Sequence, residues 1–190
     1  AQLTQYAFII ANIITPSSIV GVNSIVATTQ DSESKSIDTT SSMATDQIAS
    51  GVLTSATFAT AVDTPGYESV ATVSFTTAGR VEVGGKVVLV MPEESGAQHG
   101  WRFTDGATSS TETSGTGNVP AITFTTPSSN TPTAGSVGYA LATRTLVLTI
   151  GAHDLAQSAS HVFTITNVLT PSSVVGVNNA HAFTRDSQDR

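Results

Sequence analysis

Cysteine is absent from this chain of 190 residues. Disulfide staples, zinc–thiolate sites and a cysteine nucleophile are therefore excluded. Basic residues are scarce: two Lys and five Arg stand against 14 acidic residues, a net charge of −7. A nucleic-acid binder needs a basic footprint to neutralise phosphates, and a membrane-surface binder needs a polybasic segment. Neither pattern occurs, so no nucleic-acid partner is expected. No apolar run approaches the ~18 residues of a bilayer-spanning helix, so no membrane span is expected either. Good helix formers are few, with Leu, Met, Glu, Gln, Lys and Arg together numbering 30. The chain starts at Ala1 with neither a Met nor a charged-then-apolar leader, and reads as a processed form or an excerpt of something longer.

What is abundant is small and β-branched. Thr (31) and Ser (24) make up 55 residues, and Val, Ile and Thr together make 62. β-branched side chains lose rotamer freedom in a helix and pack well on a pleated sheet. The expected class is all-β. The apolar period is 2 throughout. In 69–76, Ala71, Val73 and Phe75 share one face and Thr72, Ser74 and Thr76 the other. In 144–150, Leu146, Leu148 and Ile150 point one way and Thr145 and Thr149 the other, while Ile122 and Phe124, and Phe163 and Ile165, alternate with Thr. The run KVVLVM at 86–91 is apolar on both faces and reads as a central strand. Weaker candidates lie at 52–60, 80–84, 136–141, 174–178 and 180–184. Short strands punctuated by Gly and Pro predict an Ig-like β-sandwich. Residues 104–119 and 126–136 are low in complexity and read as surface loops, where the Ser/Thr/Pro content invites O-glycosylation. No Asn-x-Ser/Thr sequon exists.

The chain also repeats itself. Residues 6–32 and 161–187 match at 15 of 27 positions with a constant offset of 155. The shared core is N-x-x-TPSS-x-VGVN, from Asn12 to Asn23 and from Asn167 to Asn178. A strand–turn–strand element used twice within one domain would explain this; a tandem array of about 155-residue modules explains it better. The second copy closes a run of strands beginning near Ile48, whereas the first has almost nothing before it. Residues 48–190 therefore read as one β-sandwich module. Residues 1–47 read as an N-terminal strand extension, the end of a preceding repeat, with a polar linker over 33–47.

Candidate chemistry is sparse. His99, His153, His161 and His181 show no metal-ligand spacing, and His153–Asp154 are sequence neighbours whose side chains point apart. No G-x-S-x-G elbow occurs. Glu93 and Glu94 read as solvated turn acids rather than a glycosidase pair. Asp31, Glu33, Asp38, Asp186 and Asp189 cluster at the module junctions, where inter-module acids could hold Ca²⁺; linker solvation is the simpler reading. Gly84-Gly85-Lys86 precedes no helix and is not a phosphate loop. Trp101, the one Trp, sits beside Arg102. It is a candidate sugar-stacking contact, or a core or loop anchor. Neither catalysis nor a cofactor or metal site is expected.

The segments AGRVEVGGKVVLVMP (78–92) and AQSASHVFTITNVLTPSSVVGVN (156–178) carry a family resemblance. They resemble the very long tandem-repeat surface proteins of protists and algae, and some bacterial adhesins. Such repeats pair a strand ending in Pro with a closing F-T-I-T-x-V-x-x-P element. The resemblance spans roughly 48–190 plus the N-terminal copy. It implies an extracellular or cell-surface location and a structural or adhesive role, with copies of itself or adjacent repeats as partners and glycans as a further candidate ligand.

The two copies differ in one respect. Phe8 and Ile10 keep the apolar face of Phe163 and Ile165, but Ile9 and Ala11 replace Thr164 and Thr166 on the other. Ile25 and Val26 replace Ala180 and His181. A strand buried on both faces reads as a continuous apolar run. Residues 6–29 are therefore expected to pack on a neighbouring subunit or module by strand addition. The expected interface residues are Phe8, Ile9, Ile10, Ile13, Ile14, Val20, Val22, Ile25 and Val26.

Overall fold

The computed structural model describes residues 7, 9–11, 13, 15, 21–22, 24–40, 42–92, 100–103, 120–140, 143–172 and 180–190. Two compact units form, Ala1–Ser50 and Gly51–Arg190. The protein is all-β, and thirteen strands are described.

The first unit contains β1 (Ser24–Ile25), β2 (Thr28–Gln30), β3 (Ser36–Thr39) and β4 (Met43–Ala44). β1 pairs with β4 and β2 with β3, both antiparallel. Ala27 bridges the two ladders: its N–H donates to Thr40 Oγ1 at 3.1 Å and its carbonyl accepts from Thr40 N–H at 2.8 Å. The strands β1 to β4 thus form one irregular hairpin. The stretch over 33–47 that reads as a linker holds its returning arm. Hydroxyls stitch that arm in place, with Thr28 Oγ1 3.0 Å from Thr39 Oγ1 and Thr29 Oγ1 donating to Asp38 at 3.3 Å. Such polar pairing leaves no trace in apolar periodicity.

The second unit holds β5 (Thr54–Thr60), β6 (Glu68–Thr76), β7 (Lys86–Val90), β8 (Arg102–Phe103), β9 (Ile122–Thr126), β10 (Thr133–Ala140), β11 (Thr145–Ala152), β12 (Ser160–Leu169) and β13 (His181–Arg185). One sheet has the order β10-β11-β7-β13. The other has the order β5-β6-β12-β8, with β9 also paired to β12. All these pairings are antiparallel. The KVVLV strand β7 is central, between β11 and β13.

The predicted alternation sets the core. Ala71, Val73 and Phe75 of β6 pack with Phe163 and Ile165 of β12, Phe124 of β9, Val87 and Leu89 of β7, and Leu146, Leu148 and Ile150 of β11. Phe103 of β8 meets Tyr139 of β10 edge-on at 5.0 Å, which ties one sheet to the other across the sandwich. Burial of each such large side chain stabilises by roughly 1.5–3 kcal/mol. The 80–84 segment is not a strand. Val81 makes a lone bridge to Leu155, and the chain then turns through Gly84 at φ 86°. The predicted strand at 174–178 and the loop at 104–119 lie outside the described residues.

Candidate functional site

The repeat motif does defined structural work in the second unit. Asn167, first residue of N-x-x-TPSS, adopts φ 56°, which Asn tolerates better than most residues. The β12–β6 register shifts there, between Ile165 and Val168, so the buried series passes from Phe163 and Ile165 to Val168. Thr170, the Thr of TPSS, is 2% exposed. Its hydroxyl accepts from Tyr67 N–H at 2.9 Å and donates to the Thr64 carbonyl at 2.5 Å. Thr170 N–H donates to Tyr67 O at 3.0 Å, and Gly66 N–H donates to Pro171 O at 2.8 Å. The motif is therefore a latch that holds the 64–67 turn over the end of β12.

In the first unit the described residues of the same repeat lie in a different setting. Ile10 and Ile13, counterparts of the fully buried Ile165 and Val168, are 63% and 69% exposed. Thr15, counterpart of Thr170, is exposed. Of the other expected interface residues, Ile9, Val22, Ile25 and Val26 are also exposed, and Ile25 sits in β1 opposite Met43. Phe8, Ile14 and Val20 lie outside the described residues. The structure therefore presents six of the named apolar side chains to solvent, and two of them, Ile10 and Ile13, are counterparts of residues that form core in unit 2. This exposed series is the candidate site.

Trp101 is half-buried. Its ring meets Phe58 edge-on at 5.4 Å, and its carbonyl accepts from Arg144 Nη1 at 3.3 Å. It serves as a loop anchor against the core margin.

The acidic residues at the junctions are engaged locally. Asp31 Oδ1 accepts from Glu33 and Lys35 N–H, and Asp186 Oδ1 from Gln188 and Arg190 N–H. Asp189 pairs with Lys86 at 2.6 Å. Among the described residues, no three His, Asp or Glu side chains gather at metal-binding distance. Asp154 accepts from Val83 N–H at 2.9 Å and pairs with Arg80 at 3.0 Å, so it braces the 80–84 segment. Glu93, Glu94 and His99 lie outside the described residues. Sequence reasoning passed over the Asp31 and Asp186 turns as anything but acids. The signal was there in the repeat itself, which carries Asp-Ser-x-x-Lys/Arg at 31–35 and 186–190. His161, which shows no metal-ligand spacing in the sequence, is buried on β12 with its ring centre 5.9 Å from that of Phe75.

No protein-family model, curated protein or solved structure matches the chain. Among the described residues no helix is long and apolar enough to cross a membrane.

Proposed function

We propose that the protein is a structural building block of an extracellular filament or surface layer, joined to its neighbours by β-strand complementation through residues 6–29. The observation that supports this most directly is the pair of environments around one motif. Ile165 and Val168 are fully buried in β12, while Ile10 and Ile13 at the same motif positions are more than half exposed. The acceptor is an adjoining sandwich body whose β12 position is open, in which Ile10 and Ile13 take the places of Ile165 and Val168. Main-chain bonds to the acceptor's β6 and β9 supply affinity, and the apolar side chains supply register. An isolated two-stranded hairpin in water is marginal at best, so the partner also stabilises the first unit.

Deletion of residues 1–47 tests the reading, because the core of the second unit lies wholly within residues 53–182. Assembly, followed by sedimentation and negative-stain microscopy, is expected to be lost while the near-ultraviolet signal of Trp101 persists. A milder test is Ile10→Asp with Ile13→Asp in the whole chain, with the same expected outcome. Polymers of undiminished length from either variant would refute the proposal. An adhesive, sugar-binding role centred on Trp101 is the alternative. It would show as glycan binding that Trp101→Ala abolishes.

A further inference from the structure

The two repeats share a turn as well as a strand. In the first unit β2 runs into Asp31–Lys35. Ser34 N–H donates to Asp31 O at 3.1 Å, and Asp31 N–H donates to Lys35 O at 2.9 Å. Ser34 has φ 63°. Asp31 Oδ1 accepts from the N–H groups of Glu33 and Lys35, both at 2.9 Å. A type I turn followed by a left-handed residue is a standard hairpin connection, and an Asp side chain that caps its own turn favours it. β3 returns along β2 as that geometry requires.

At an offset of 155, β13 runs into Asp186–Arg190, and each of these bonds recurs. Asp189 N–H donates to Asp186 O at 3.2 Å, and Asp186 N–H donates to Arg190 O at 3.1 Å. Asp189 has φ 65°. Asp186 Oδ1 accepts from Gln188 N–H at 2.8 Å and Arg190 N–H at 2.9 Å. Arg190 therefore makes with Asp186 the bond that Lys35, just before β3, makes with Asp31. Lys86 of β7 holds the turn to the sheet through Asp189 at 2.6 Å. β13 pairs with β7 along one edge, and among the described residues no strand lies along its other edge.

We infer that the outer edge of β13 is a docking edge for a strand of the Ser36–Thr39 type, Ser-Ile-Asp-Thr, entered through the Asp186 turn, so that the sheet β10-β11-β7-β13 continues into the next repeat. The register follows from the first unit, where Thr28 faces Thr39, Thr29 faces Asp38 and Gln30 faces Ser36. Phe183, Thr184 and Arg185 then face the Thr, Asp and Ser of the incoming strand. Thr184 keeps the hydroxyl that matters most. Its counterpart Thr29 donates to Asp38 Oδ2 at 3.3 Å and accepts from Asp38 N–H at 3.1 Å. This inference stands on the turn and not on the apolar residues at 7–26, so it holds or fails separately from the proposed function.

The test is the full chain lengthened after Arg190 by a second copy of residues 36–47, compared with the unlengthened chain by amide hydrogen exchange and nuclear Overhauser contacts. Outward amides of β13 between Phe183 and Arg185 are expected to slow by roughly tenfold or more on pairing, with contacts between Thr184 and the added Asp. A tail with scrambled order is expected to give neither. Asp186→Ala in the lengthened chain is expected to return β13 exchange to its unlengthened rate while β11 stays protected. Unchanged β13 exchange in the lengthened chain, equal protection by the scrambled tail, or protection only by a separately added peptide would each overturn the inference.

Discussion

Gly135 and Gly151 face each other across β10 and β11 with no room for a side chain on either. A Cβ on Gly151 would lie 2.7 Å from Gly135 Cα, and one on Gly135 would lie 2.9 Å from Gly151 Cα. The approach coincides with the register shifts around Ala134. Gly151→Ala is expected to destabilise the protein by about 1–3 kcal/mol, because two backbones must separate within an ordered ladder. Gly79→Ala has nothing within 4 Å of the added methyl and is the control; its effect should stay within about 0.5 kcal/mol. Denaturant titration of both variants checks the difference.

One substitution made in both copies of the repeat should have two outcomes. Thr170→Val removes the hydroxyl that accepts from Tyr67 N–H and donates to the Thr64 carbonyl in a part-buried contact. A loss of about 1–3 kcal/mol in the melting of the second unit is expected. Thr15→Val alters an exposed residue and should leave the melting of dispersed chains unchanged. If strand complementation operates, Thr15→Val weakens assembly instead, because Thr15 then does in the acceptor what Thr170 does in β12. Calorimetry and sedimentation on the same two variants separate the cases.

His161 gives the fold a pH dependence of predictable sign. Burial disfavours the charged ring and lowers its pKa from 6.5, against a smaller opposing effect of the Ala156 carbonyl. Nε2 lies 3.4 Å from that carbonyl, and Nδ1 is buried with no partner among the described residues. The unfolded chain therefore binds a proton at a higher pH than the folded one does. His161 costs no stability above about pH 6.5 and progressively more as pH falls from there toward its folded-state pKa. His161→Phe is expected to hold its stability through the upper part of this window, from pH 6.5 to 5.5, where the parent weakens. Because the orphaned Nδ1 also disappears, the variant should match or exceed the parent at pH 8. Urea midpoints measured across this range decide it.

Much of the second unit was legible because its core strands write their burial at every second residue. β6 and β11 show this best, with Ala71, Val73, Phe75 and Leu146, Leu148, Ile150 on their buried faces. β12 was only partly legible. The bulge at Asn167 shifts the buried series by one, so Val168 falls out of phase with Phe163 and Ile165. β3 was hidden for a different reason. Its pairing with β2 depends on Thr and Asp cross-strand bonds and on a side-chain-capped turn, and neither needs an apolar pattern. The 80–84 segment misled in the opposite sense. Val81 and Val83 alternate like a strand, but Val83 N–H is taken by Asp154 and Gly84 turns the chain away. The candidate site was legible as a difference between copies. Its exposure could be seen only once β12 showed where those positions lie when their partners are present.

The place of β12 in its sheet sets the order in which the sandwich can be completed during synthesis. β6 and β9 both pair with β12 and not with each other, yet β12 lies near the end of its module. Until residues 160–169 have left the ribosome, Phe75 and Phe124 have no Phe163 to meet, and the buried faces of β6 and β9 stay wet. Closure thus waits on a pairing between residues about 90 positions apart, such as Val73 with Phe163. Contacts of that span place a domain among the slower β folders. For as long as it waits, each nascent body displays an open slot for a strand of this one pattern.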